Sequence, residues 1–97
     1  MAKVEVDEEL KDILPSFLEN RNKDILTLKE ALANNDNSTL EKVGHKVSGS
    51  AGGYGFEDLG VIAKDIELAS KAGEMDKVKS LIDSFEIYVN EIEVVFV

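Results

Sequence analysis

Cysteine and tryptophan are both absent from this 97-residue chain. The missing thiols exclude disulfides, thiolate metal sites and cysteine nucleophiles. They suit a reducing compartment without requiring one. There is one proline, Pro15, and one histidine, His45. A lone imidazole gives a metal ion too few ligands for a structural or catalytic site, and Glu41, one helical turn earlier, adds only a weak second donor. No metal or cofactor is therefore expected. No apolar run approaches the roughly 20 residues of a membrane span, and Met1-Ala2-Lys3 lacks the apolar stretch of a signal peptide. Positive charge is scarce: 11 Lys and Arg stand against 20 Asp and Glu, a net charge of −9 with no dense basic cluster. Phosphate backbones and anionic lipid repel such a chain, so neither nucleic acid nor a membrane is an expected partner. A cytoplasmic monomer is the expectation.

What is present is helical periodicity. The length makes one domain, 1–97, which buries about 60–70% of its extended-chain surface on folding. No stretch alternates like a strand between paired turn signals, while apolar residues recur at three- and four-residue spacing, which predicts an all-α fold. A short helix is expected near Asp7–Leu14, followed by one over Pro15–Ala33 with Phe17, Leu18, Ile25, Leu28 and Leu32 inward. Pro15 suits the first turn, where its missing N–H is harmless; the two helices could also run together with a kink there. Asn34-Asn35-Asp36-Asn37 is a polar break, and Ser38-x-x-Glu41 reads as a capping box. The third helix then runs to Tyr54 and stops at Gly55, the fourth spans Glu57–Lys71 before Gly73, and the last runs from Met75 to near Glu93. Short connections predict an up-down antiparallel four-helix bundle with a short additional N-terminal helix.

The helix that carries His45 holds the functional information. At about 100° per residue, Leu40, Val43, Val47, Ala51 and Tyr54 fall within about 60° of the direction opposite His45. A histidine among apolar residues is usually a satisfied core residue, but this phase turns the imidazole to solvent. Gly49 and Gly52 flank it at about 40° and 20°. With Gly44 and Gly53, four glycines in one helix cost on the order of 3–4 kcal/mol relative to alanine, a large share of the roughly 5–15 kcal/mol available to a small domain. Gly44 and Gly53 lie to the sides, where neighbouring helices approach. Gly49 and Gly52 lie on the open face, where bare backbone leaves a trough that gives a partner access.

An exposed histidine on a convex helix has no substrate pocket for general-base work. Ser48 and Ser50 are close by, but no orienting carboxylate is evident for a triad. What remains is histidine as nucleophile, forming a phosphoramidate that is passed on.

The run His45-Lys46-Val47-Ser48-Gly49-Ser50-Ala51-Gly52-Gly53-Tyr54-Gly55-Phe56, with Leu59 after it, resembles the histidine-containing phosphotransfer (HPt) domain family. His45, Gly49, Gly55, Phe56 and Leu59 match its pattern, and the region of Leu14, Pro15, Phe17 and Leu18 and the turn between Ala31-Leu32 and Asp36 are similar to it. The resemblance implies a four-helix bundle whose His45 accepts a phosphoryl group and exchanges it with aspartates in receiver domains of response regulators or hybrid histidine kinases. The receiver brings Mg²⁺. Such a protein is a phosphocarrier and not an independent enzyme, and no nucleotide-binding fingerprint is present. The family usually has Lys or Arg where this chain has Ser48, whose hydroxyl can hydrogen-bond a phosphate oxygen but brings no charge. Lys42, at about +60° one turn earlier, and Lys46, at about 100°, are the candidate substitutes. The alternative is a degenerate relative that docks on receivers without exchanging phosphate. A third reading is a structural adaptor using Val94-Val95-Phe96-Val97, although that run reads better as the end of the last helix packing on the bundle.

Overall fold

The computed structural model describes residues 3–97. The chain is mostly helical, as its periodicity predicts. Its elements are β1 (Lys3–Val6), a 3-10 turn (Glu8–Leu10), α1 (Leu14–Ala33), α2 (Asn37–Ala51), a second 3-10 turn (Gly52–Tyr54), α3 (Glu57–Lys71), α4 (Met75–Glu91) and β2 (Glu93–Phe96). Each helix packs on the next and α4 returns against α1, with the α2–α3 contact the most extensive.

The two ends depart from the expected all-α pattern. In place of a helix over Asp7–Leu14 there is a single 3-10 turn, preceded by strand β1, and its cap Asp7 accepts the N–H of Glu9 at 2.9 Å. The last helix stops at Glu91, Ile92 is extended, and Val94–Val97 is not helical. β1 and β2 pair in parallel, Lys3 opposite Glu93 through Val6 opposite Phe96, so the four helices form the crossover between them. Two further backbone bonds, Glu8 N–H to Val97 O at 3.0 Å and Val97 N–H to Val6 O at 2.9 Å, extend the closure. The signal is weak: Lys-Val-Glu-Val alternates with a period of two, whereas Glu-Val-Val-Phe does not and is marked only by its β-branched and aromatic side chains. Neither segment has a hairpin partner next to it, which is why the pairing is hard to read locally. Val4 and Val6 point into the core, while Val95 and Phe96 remain exposed.

The core is a single cluster that includes Phe17, Leu28, Leu40, Val47, Phe56, Leu59, Ile66, Ile82 and Phe85. Of the residues expected inward on α1, Phe17, Ile25 and Leu28 are buried and Leu18 and Leu32 are half-buried. Phe17 stacks on Phe56 at 5.1 Å and meets Tyr54 at 4.3 Å, clamping the start of α1 to the turn between α2 and α3. Gly55 in that turn has φ +90°, the left-handed conformation that stops the helix there, and a Cβ on it would stand 3.0 Å from Glu5 O.

The cap of α2 is Asp36, two residues earlier than a Ser38 box requires. Its carboxylate takes the Thr39 N–H at 3.2 Å and the Thr39 hydroxyl at 2.6 Å, and Ser38 lies inside the helix. The Thr39 hydroxyl bond, then the Thr39 N–H bond, hold the Asp36 carboxyl below its ordinary value, with a smaller contribution from the charge of Lys42. A depressed carboxyl stabilises the fold above the ordinary aspartate pKa, and that stabilisation is lost as pH falls through the lower, folded value. Asp36→Ala is therefore expected to lower the melting temperature at neutral pH and Ser38→Ala to leave it nearly unchanged. Asp36→Asn should keep most of the cap while flattening this part of the acid-side melting profile.

Candidate functional site

The apolar stripe of α2 fixes where His45 points. Leu40, Val43, Val47 and Ala51 are buried and Tyr54 is half-buried, so the imidazole faces outward with its side chain 74% exposed. The glycines separate into two kinds. A Cβ on Gly44 would stand 2.7 Å from Ala63 O and 2.8 Å from Glu67 N, so its missing side chain is what lets α3 come close. Gly49, Gly52 and Gly53 meet nothing within 4 Å. The expected close approach at Gly53 is therefore not there, and the open ground beside His45 covers Gly49, Gly52 and Gly53. Because α2 ends at Ala51, Gly52 and Gly53 lie in a 3-10 turn, and the helix-interior penalty falls mainly on Gly44 and Gly49.

The close packing at Gly44 brings a carboxylate under the imidazole. Glu67 Oε2 lies 3.1 Å from His45 Nδ1, and the Glu67 side chain is only 6% exposed. A carboxylate only accepts, so this contact places the hydrogen on Nδ1 and leaves Nε2 as the outward nitrogen. Lys64 Nζ binds the other oxygen, Oε1, at 3.0 Å, while Lys71 Nζ is 3.6 Å from Oε2 and 3.7 Å from Glu41 Oε1. The Glu67 carboxyl is held below the usual glutamate value, first by the Lys64 hydrogen bond and then by the charges of Lys64, His45 and Lys71, against the opposing effect of desolvation. Glu67 thus stays ionised with a fixed orientation.

Glu67 and its lysines are what sequence reasoning missed. A weak signal exists: Gly60, Ala63, Glu67 and Ser70 share one helical face, so a carboxylate interrupts a stripe of small residues on the side that meets α2. A buried charge in such a stripe requires a partner.

The candidate support residues are dispersed. Ser48 turns its hydroxyl back onto His45 O at 2.9 Å. Lys46 is drawn toward α1, where it binds Asp24 Oδ1 at 2.8 Å. Asp24 is buried together with Arg21, whose Nε donates to it at 2.8 Å and whose guanidinium covers the Phe17 ring at 4.6 Å. Lys42 lines a shallow hollow of about 330 Å³ with Glu41, His45 and Glu67. Among the described residues, no group of three His, Cys, Asp or Glu side chains could hold a metal ion. Nor is any described helix long and apolar enough to cross a membrane.

The structure thus presents a mostly helical chain with an outward histidine seated on a buried carboxylate. A sequence model of the Hpt domain matches residues 12–94, and the chain belongs to that family. Membership implies a histidine phosphotransfer role in a phosphorelay, in which domains of this kind meet receiver domains. Comparisons with curated proteins and with solved structures find no match.

Proposed function

We propose that residues 1–97 form one phosphocarrier domain in which His45 accepts a phosphoryl group from a receiver aspartate and hands it on to another. The observation that carries this is the outward imidazole with Nδ1 seated on buried Glu67 at 3.1 Å. The Nε2 lone pair attacks phosphorus while the aspartyl P–O bond breaks, its electron pair returning to the carboxylate. The hydrogen stays on Nδ1, and the phosphoimidazolium charge is offset by Glu67. In the reverse step the P–N pair returns to Nε2. The bare backbone of Gly49 and Gly52 lets the receiver surface come close.

The receivers are those of response regulators or hybrid histidine kinases, and the Mg²⁺ for transfer belongs to them. Glu41 and Glu67 are engaged by Lys71 and Lys64, which is the wrong state for ligating a cation here. The reading includes a monomer working in the cytoplasm and an up-down course of the four helices, supported by their short connections. It does not include independent turnover.

The alternative, docking on receivers without exchange, is favoured by one observation: neither Ser48 nor Lys46 offers the phosphoryl group a free donor. Incubation with a panel of phosphorylated receivers separates the two readings. Transfer of an acid-labile, alkali-stable label to the chain is expected, and a stable complex without label would replace relay by docking.

A further inference from the structure

A phosphoryl group on His45 Nε2 brings about −1.5 to −2 charges into a neighbourhood that already holds Glu41 and Glu67. Unscreened carboxylates that close oppose its formation, so a cation has to face it. The contacts between α2 and α3 show which level of α3 is available. Glu41 meets Lys71, His45 meets Glu67, and Ser48 O lies 3.7 Å from where a Cβ on Gly60 would be. Numbers rise along α2 as they fall along α3. One turn on from His45 is Ser48, and one turn back from Glu67 is Lys64, so these two stand at the same level across the interface. The Ser48 side chain is short and folded onto its own helix. It leaves that level open to a lysine from α3.

Resting on the phosphotransfer reading above, we propose that Lys64 supplies the positive charge that holds the phosphoryl group on His45. Its ammonium is parked on Glu67 Oε1 at 3.0 Å, on the same carboxylate whose other oxygen seats the imidazole. Its side chain is half exposed, so it is free to turn outward. When Nε2 is phosphorylated, the Nδ1–H imidazolium takes over neutralisation of Glu67, and Lys64 swings to the phosphoryl oxygens. No covalent bond is made or broken in that movement: the hydrogen bond to Glu67 Oε1 is exchanged for one to a phosphoryl oxygen. The other cations are less suited. Lys46 is bound to Asp24. Lys71 lies between Glu41 and Glu67, where its departure would leave Glu41 facing the phosphoryl group without a cation. Lys42 lies one turn before His45, on the side away from the bare glycines.

The test uses the full chain phosphorylated by phosphoramidate, which needs no receiver: its P–N bond breaks, ammonia leaves and the Nε2–P bond forms. Measured quantities are the labelling rate and the half-life of the phosphohistidine in wild type, Lys64→Ala, Lys71→Ala, Lys42→Ala and the double variant Lys64→Ala/Ser48→Lys. Lys64→Ala is expected to slow labelling about tenfold, the scale of one charge-assisted contact, and to shorten the phosphohistidine half-life. Ser48→Lys should restore both, because it returns an ammonium to the same level from the other helix. A merely structural role for Lys64 would not be rescued in this way. Lys64→Ala behaving as wild type, a larger loss in Lys71→Ala or Lys42→Ala, or failure of the Ser48→Lys rescue would each overturn the assignment. A wild-type chain that takes no label from phosphoramidate or from any receiver would instead overturn the phosphotransfer reading itself.

Discussion

Replacement of His45 by Gln is expected to reduce phosphoryl labelling by receivers to background while leaving the fold intact. The chain has one imidazole, so no second nitrogen nucleophile of this kind can take over. Glutamine keeps a polar N–H donor at this position, but its amide nitrogen has no lone pair available for attack. The side chain at 45 is 74% exposed and Glu67 retains Lys64 and Lys71, so stability should change by no more than about 0.5 kcal/mol. The two measurements belong together: a melting temperature close to that of wild type, and the absence of acid-labile label on the variant. Label surviving in His45→Gln would move the accepting atom elsewhere and remove the central claim. Binding of receivers by the unlabelled variant is expected to persist, because the trough at Gly49 and Gly52 is untouched.

How much of this was legible in the sequence follows from the range of each interaction. The outward direction of His45 was readable because it depends on helical phase alone, and Leu40, Val43, Val47 and Ala51 report that phase within four turns. Gly55 and Gly73 were readable as helix stops because a positive φ, +90° and +72° here, is a local demand on the backbone. The pairing of β1 with β2 was not, since its partners lie at opposite ends of the chain and each strand has only four residues. The cap falls at Asp36, two residues before Ser38: both residue types are competent caps, and the backbone entering the helix, with Asn35 at φ 53°, brings the Asp36 carboxylate to Thr39 N–H. The destination of Lys46 was hidden for another reason. Asp24 and Arg21 are charged residues on the core-facing side of α1, where a periodicity argument expects apolar ones, and their mutual pairing lets the helix bury them. Glu67 was hidden in the same way, and it is the group that orients the His45 imidazole.

That orientation depends on Gly44, where the second large effect is expected. Alanine is the better helix former by about 1 kcal/mol, so on an open face a Gly→Ala change stabilises. Gly49→Ala, with nothing within 4 Å, is expected to do so. Gly44→Ala should do the reverse. The new methyl would lie 2.7 Å from Ala63 O and 2.8 Å from Glu67 N, and both atoms are backbone, so no rotamer change can relieve the contact. Relief requires α3 to move away from α2 along the most extensive helix contact in the fold. Overpacking of that kind costs about 1–3 kcal/mol, and more where backbone has to shift. The branched side chain of Gly44→Val should exceed that range and lower the melting temperature by more than about 10 °C. The same displacement withdraws Glu67 from His45 Nδ1, so any folded fraction of Gly44→Ala should also label more slowly than wild type. Thermal unfolding of Gly44→Ala and Gly49→Ala side by side decides the matter, because the two substitutions are chemically identical on one helix and their stability changes should have opposite signs. Equal stabilisation of both would mean that α3 does not approach as closely as Glu67 needs in order to hold the imidazole.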